Sequence, residues 1–439
     1  MDTHLFSISR LYNLNPIGLG TPFVESLTSY ITRLAEAHNV TLGALIGKEI
    51  TPRLDKHYLN KVAIRGGGGL YKSASSINGV KLAALDMVAS LEHLTLRSDL
   101  QFLTLTTYSE ILPTRGLLRP KKAWCPKCFE EWGVNKTDIY EPLLWYIQEV
   151  KICNVHKTRL HTYCPNCSKE IPTLSRNIRV GFCSHCAHWL AQSNTDSPLH
   201  DNETYYWDYW RVENIGQLLE LMSSNDINPG RARLKIMLNQ ALKVTTLREI
   251  LTLMDIPKSS FNSWIVKDNF PSFPCLLRIL YCLGISLKQF LTGDLNTINF
   301  NLRPFPYRKD CFVTNRFSDG YIEEYLEFFA NSDVTPPPSV KRIASIIDCD
   351  RRLLYIRAPE LCKMISKKYI DYIQARSHDR NEFVKKQVVN AVNILNRQGI
   401  YPSRRKVEEL LKMPGVVKAR AIQLVWKHEK EKLKQEGRL

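Results

Sequence analysis

Eight side chains of metal-binding type fall into two adjacent quartets. Cys125-x-x-Cys128 is matched by Cys153-x-x-His156, and Cys164-x-x-Cys167 by Cys183-x-x-Cys186. A Cys-x-x-Cys turn places two sulfurs on one side of an ion without straining the backbone, and zinc takes four such ligands tetrahedrally. Fifteen residues separate the pairs of the second quartet, as in a zinc ribbon, and twenty-four separate those of the first, room for an inserted helix. Each site closes on four protein ligands, so two structural Zn2+ ions are expected and neither offers a position to a substrate. Thioredoxin-type redox chemistry uses one Cys-x-x-Cys beside a βαβ pattern, and a disulfide framework needs an oxidising compartment. Met1-Asp2-Thr3-His4 leads into no apolar signal core, which points to a cytoplasmic chain. His161, His185 and His188 read as surface or packing histidines, His185 being the one that could compete as a ligand. Cys275, Cys282, Cys311, Cys349 and Cys362 lie among apolar residues and read as buried free thiols.

The elements that position these ligands read as mainly α and multidomain. A helical N-terminal domain is expected over residues 1–114, two zinc-binding ribbon or finger modules over 115–195 and a helix-turn-helix domain over 196–298. A connecting segment over 299–338 and basic helix-turn-helix units over 339–439 follow. Phe23, Leu27, Ile31 and Leu34 share one face of a helix over residues 22–38, with Pro22 in its first turn. Thr41 offers a hydroxyl cap to a second short helix. Pro304, Pro306 and Pro336-Pro337-Pro338 bracket the connecting segment. No run of eighteen apolar residues occurs, so no membrane partner is expected.

Charge points to a polyanion. The chain carries a formal +17, and residues 341–439 hold 24 Lys or Arg against 11 Asp or Glu, a net +13. A concentrated basic surface binds nucleic acid through counterion release. Residues 246–266 read as helix, Asp255-Ile256-Pro257 turn, helix, with Leu247, Ile250, Leu251, Met254, Phe261 and Trp264 inward. Lys258, Ser259, Asn262 and Ser263 then face outward at the start of the second helix, where small polar and basic groups suit phosphates and base edges. Residues 273–294 supply closing helices. The pattern recurs at Ser339–Ile347, Asp348-Cys349-Asp350 and the helix led by Arg351 and Arg352. It recurs again where Ser403 starts a helix bearing Arg404, Arg405 and Lys406, Met413-Pro414-Gly415 breaks it, and a helix over Val416–Lys432 carries Lys418 and Arg420. Several such units on a basic background imply an extended contact with double-stranded DNA.

Catalytic signatures are missing from the sequence. Gly43-Ala-Leu-Ile-Gly47-Lys48-Glu49 is one residue short of a P-loop and lacks its Ser or Thr, and Gly66–Gly69 is a flexible loop. Neither His-Glu-x-x-His nor Gly-x-Ser-x-Gly occurs, so no catalytic residue is assigned and the chain is not read as an enzyme. A scattered carboxylate triad leaves a metal-dependent nuclease or recombinase as a distant alternative.

Glu25-Ser26-Leu27, Ser29-Tyr30-Ile31-x-Arg33-Leu34-Ala35, Trp124-Cys125-Pro126-x-Cys128, Leu144-Trp145, Cys153-x-x-His156 and Cys164-Pro165-x-Cys167 together resemble the TniQ/TnsD family over residues 18–190. Tyr355-x-Arg357-Ala-Pro359-Glu360-Leu361-Cys362, leading to Tyr369, is similar to the longer TnsD branch. These proteins select target sites for bacterial transposons of the Tn-seven class. The resemblance implies a chain that binds a chromosomal attachment site and presents it to the AAA+ regulator TnsC, which recruits the transposase. It implies that the N-terminal domain contacts the regulator, the zinc modules set the geometry of neighbouring helices and the C-terminal units read DNA. Shorter TniQ proteins instead dock on an RNA-guided Cascade complex, the alternative for this chain; the basic C-terminal extension favours direct DNA reading.

Overall fold

A computed structural model describes residues 8–54, 71, 73–191, 203–223, 230–267, 269–306, 321–347 and 349–438. Cys311, the Gly66–Gly69 loop and Asp348 lie outside these. Among the described residues the backbone is mainly helical, and its β-pairing is confined to isolated bridges.

Helix α1 runs Leu27–Ala37 because Ser26 caps it, its hydroxyl accepting from the Ser29 N–H at 3.2 Å. An orphan N–H at a helix start is met by a Ser oxygen, so the helix begins later than the sequence suggests and Pro22 sits in the preceding turn. Leu27, Ile31 and Leu34 are fully buried as expected, while Phe23 is half-buried. Thr41 caps α2 (Leu42–Leu45) through the Ala44 N–H at 3.3 Å.

The polar residues of the α1 motif are buried too. Ser29 donates to Glu25 Oε1 at 2.8 Å, Arg33 donates to Glu25 Oε2 at 2.7 Å, and the Glu141 N–H donates to the Ser29 hydroxyl at 3.0 Å. Glu141 in turn pairs with Lys122 at 2.6 Å and accepts from the Tyr146 hydroxyl. Thr28 and Asn78 close a reciprocal pair, N–H to Oδ1 at 3.0 Å and Nδ2 to Oγ1 at 2.9 Å. The network ties α1 to the start of the cysteine-rich region. Burial pushes the Glu25 carboxyl up to about 7, outweighing the pull of Arg33.

The hydrophobic core does not stop at the boundaries near 114 and 195. One continuous cluster runs from Leu11 to Leu295. It takes in α3 (Leu82–Thr95), α4 (Pro126–Val134), α5 (Glu203–Glu220), α6 (Ala232–Val244), α7 (Leu247–Met254), α8 (Lys258–Val266), α9 (Phe273–Leu283) and α10 (Leu287–Thr292). Helix α5 is the bridge: Leu218 O accepts from the Tyr108 hydroxyl at 2.6 Å, Asn214 Oδ1 accepts from the Leu287 N–H at 2.8 Å, and Arg211 pairs with Glu149 at 2.5 Å.

Two smaller cores follow. Helices α11 (Tyr321–Asn331), α12 (Val340–Ile346) and α13 (Arg351–Arg357) pack with the beginning of α14 (Pro359–Arg397) around Leu326, Ile343, Leu354 and Cys362. The stretch expected as a connector thus holds a core helix, since the prolines that suggested a linker only flank α11. The end of α14 packs with α15 (Arg404–Leu410) and α16 (Arg420–Gln435) around Val388, Val392, Val407 and Val417. The helix expected over Val416–Lys432 is split: Val416–Lys418 is a 3-10 turn, Ala419 is extended, and α16 starts at Arg420.

Because the folded pKa of Glu25 lies above its ordinary 4.5, the fold holds an extra proton between these values. Its contribution is full below about pH 4.5 and is lost as pH rises through about 7. The thermal unfolding midpoint of the wild type is expected to fall more steeply from pH 6 to pH 8 than that of Glu25→Gln; parallel profiles would show that this carboxyl does not titrate there.

Candidate metal centres and nucleic-acid interface

Three of the four ligand pairs share one local design. Bridges Ile152–Arg159, Tyr163–Glu170 and Phe182–Trp189 each enclose a pair. Inside each, the first cysteine N–H bonds back across the turn, to Thr158 O at 2.8 Å, Lys169 O at 3.0 Å and His188 O at 2.9 Å. The residue after the second ligand adopts the left-handed conformation, Lys157 at φ 55°, Ser168 at 52° and Ala187 at 54°. That turn brings both ligand atoms of a pair to one side. The remaining pair uses a helix end: Cys125 precedes α4, Pro126 takes its first position, and Cys128 follows one turn on. Helix α4 and the 3-10 turn Leu143–Tyr146 fill the long spacing of the first quartet. Phe129 and Trp145 pack edge to face at 5.4 Å beneath it, both fully buried.

The ligand atoms converge as tetrahedra. In the first quartet His156 Nδ1 lies 3.4, 3.3 and 3.6 Å from the Sγ atoms of Cys125, Cys128 and Cys153, and Cys128 lies 3.6 Å from Cys153. In the second, Cys164 lies 3.6 Å from Cys186 and Cys167 lies 3.7 Å from Cys183. A tetrahedron with metal–sulfur bonds of about 2.3 Å has edges of about 3.8 Å, whereas a disulfide is about 2.05 Å. These separations therefore fit a shared cation and exclude sulfur–sulfur bonds. All eight residues can each offer one ligand atom, and among the described residues these are the groups of three or more His, Cys, Asp or Glu close enough to hold a metal ion. Glu131 Oε1 lies 2.8 Å from His156 Nε2 and fixes the ring with Nδ1 inward.

His185 does not compete for the second site. Its Nε2 meets Glu170 O at 3.1 Å, and burial lowers its pKa. The His161 ring leans on Trp124, and the His188 carbonyl closes the third turn. Cys282 and Cys362 are buried, while Cys275 and Cys349 are half-buried.

The candidate DNA contacts fall on all three cores rather than in one cluster. In the first, the Thr246–Glu249 capping box starts α7, Asp255 ends it at φ 48°, and α8 follows Pro257. Ile250, Met254, Phe261 and Trp264 are buried as expected, and Leu247 and Leu251 half-buried. Lys258, Ser259 and Asn262 are exposed; Ser263 is half-buried and donates to Ser260 O at 2.7 Å, so its hydroxyl is engaged by its own helix. In the second core Asp350 caps α13, leaving Arg351 and Arg352 exposed. In the third, Ser403 caps α15; Arg404, Arg405, Lys406, Lys418 and Arg420 are exposed. Arg404 lies 3.9 Å from Glu408 and Lys406 3.3 Å from Glu409, so two of these cations are partly offset on their own helix.

Sequence reasoning missed a further set, Tyr369, Tyr372, Arg376 and Arg380 on α14. Each hydrogen-bonds the second quartet's turns. Their spacing of three and four residues was the available signal.

The α1 motif, its buried Glu25 network and the complete first quartet all lie inside one segment. Residues 16–160 match the TniQ family model. The TniQ segment ends after His156, so the second quartet and both C-terminal cores lie beyond it. No curated protein matches the sequence. No helix among the described residues is long and apolar enough to cross a membrane.

Glu131→Gln is expected to weaken metal retention at the first quartet by about 10- to 100-fold in chelator competition, leaving the second unchanged. Equal release from both sites would show that Glu131 does not orient His156. Cys183→Ser is expected to remove one of two ions per chain and open its turns to protease; unchanged metal content and proteolysis would contradict the assignment.

Proposed function

We propose that this chain is a non-enzymatic target-site selector of a transposon. It holds two structural Zn2+ ions, binds a double-stranded DNA attachment site by sequence, and recruits the AAA+ regulator TnsC and through it the transposase. The observation that carries this reading is the segment matching the TniQ model joined to two further helical cores, which expose Arg351, Arg352 and Arg405 on short capped helices and Lys418 and Arg420 on the 3-10 turn and the helix start that follow. With a net +13 over residues 341–439, these helices offer cations to phosphates and base edges. The α7–α8 unit adds Lys258, Ser259 and Asn262 from the first core. In this reading the chain belongs to the TnsD-like branch, and catalysis belongs to its partners.

A protection footprint on host genomic fragments, at physiological salt and without guide RNA, tests the reading. One discrete protected site spanning several helical turns is expected. Diffuse, salt-sensitive protection would instead favour the adaptor that docks on Cascade, and cleavage of the fragments would favour a nuclease. Arg404→Ala with Arg405→Ala is expected to weaken binding and to lower the salt slope by about one for each phosphate that is no longer neutralised; an unchanged slope removes α15 from the interface.

A further inference from the structure

Helix α14 is 39 residues long and buries side chains only at its ends. Cys362 and Ile365 enter the second core, and Val384, Val388, Ala391, Val392 and Leu395 enter the third. Between Ile365 and Val384 no residue is buried, a bare stretch of about 27 Å at 1.5 Å per residue. Most of a helix's stability in a protein comes from its packed face, and this stretch has only half-buried side chains to supply one. Near its start Lys368 donates to Ala330 O at 3.2 Å and Ser332 O at 2.6 Å at the end of α11, and one face of the stretch is aimed at the second quartet. Tyr369, Tyr372, Ile373, Arg376 and Arg380 follow helical spacing, and Ile373 packs half-buried against the first core.

The contacts fall on the turns that hold the ligands. The Tyr369 hydroxyl donates to Cys167 O at 3.3 Å, and the Tyr372 hydroxyl to Asn166 O at 2.9 Å. Arg376 donates to Asn166 Oδ1, and Arg380 to His185 O at 3.3 Å. Asn166 also reaches Cys186 Sγ through Nδ2 at 3.5 Å, so one side chain joins a ligand sulfur to the helix. From the other side, Lys341 pairs with Glu170, and Arg342 donates to Ser168 at 3.1 Å. Ser168 and Ala187, each next after its pair's second ligand, hold left-handed backbone angles, so the turns that carry these acceptors are the same turns that bring the ligand pairs together.

We propose that the second quartet is a latch for α14. Closed on its metal, it presents the Asn166, Cys167 and His185 acceptors that keep the middle of α14 helical, and so holds the third core against the rest of the chain. The latch rests on the second quartet binding metal, and it makes that ion, rather than the first, a determinant of where α15 and α16 stand.

Amide hydrogen exchange on the full-length chain, with metal counted alongside, tests it. The triple variant Tyr369→Phe, Tyr372→Phe, Arg376→Ala is expected to keep both ions while exchange over residues 366–383 rises about tenfold or more, as removal of several hydrogen bonds implies. Exchange in α1 and α9 should be unchanged. Cys183→Ser, lacking one ion, should give the same rise over 366–383. Unchanged exchange there in either variant overturns the latch, as does loss of metal from the triple variant, because the helix would then be building the site. A wild-type chain purified with no metal at the second quartet defeats the metal reading on its own, apart from the exchange result.

Discussion

Convergence of four ligand atoms to within 4.8 Å of one another, twice over, is the constraint on which the structure depends. Sulfurs 3.6–3.7 Å apart are not bonded to one another, and a cation between them would deprotonate them and offset their repulsion. Residues 151–190 pair only through isolated bridges, and their turns add Ile152, Ile171, Leu174, Ile178 and Leu190 to the first core around the ligands.

The two sites differ in what they organise. The first is woven into the TniQ segment, with Cys125 at the start of α4, Phe129 and Trp145 beneath it, and Glu141 and Lys122 linking the region to α1 through Ser29. The second faces outward to α12 and α14. A chain built this way can keep a shared inner body while carrying added helical cores on the outer site. Gly415 marks a second approach between the third core and the body: at φ +77°, it would place a Cβ only 2.7 Å from Thr41 Cγ2, so a side chain there would force the two apart.

The metal ligands were legible because ligand spacing is set by local geometry. Cys-x-x-Cys reports a tight turn or a helix start, and the eight residues gather in the two groups that their spacing implied, each able to hold a metal ion. Capping chemistry was equally local, so Thr41, Ser339, Asp350 and Ser403 start helices where their side chains suggest. The extent of the cores was not legible. Leu11 and Leu295 share a cluster through packing between distant segments, which no local pattern encodes. The length of α14 was missed because its middle is polar on nearly every side and resembles a solvated run; its stabilising partners, Asn166 and His185, are some two hundred residues away in sequence. The α16 start was misplaced for a smaller reason, since Val416–Lys418 has helical composition but turns as a 3-10 segment after Gly415.

The central claim is that two closed tetrahedral zinc centres of seven sulfurs and one nitrogen hold the chain together. X-ray absorption at the zinc edge on the purified full-length protein tests it most directly. The account predicts two zinc ions per chain and a first shell dominated by sulfur at about 2.3 Å, with one imidazole nitrogen at about 2.0–2.1 Å shared over the two ions. A shell dominated by oxygen, or protein that is folded with no metal bound, would contradict it.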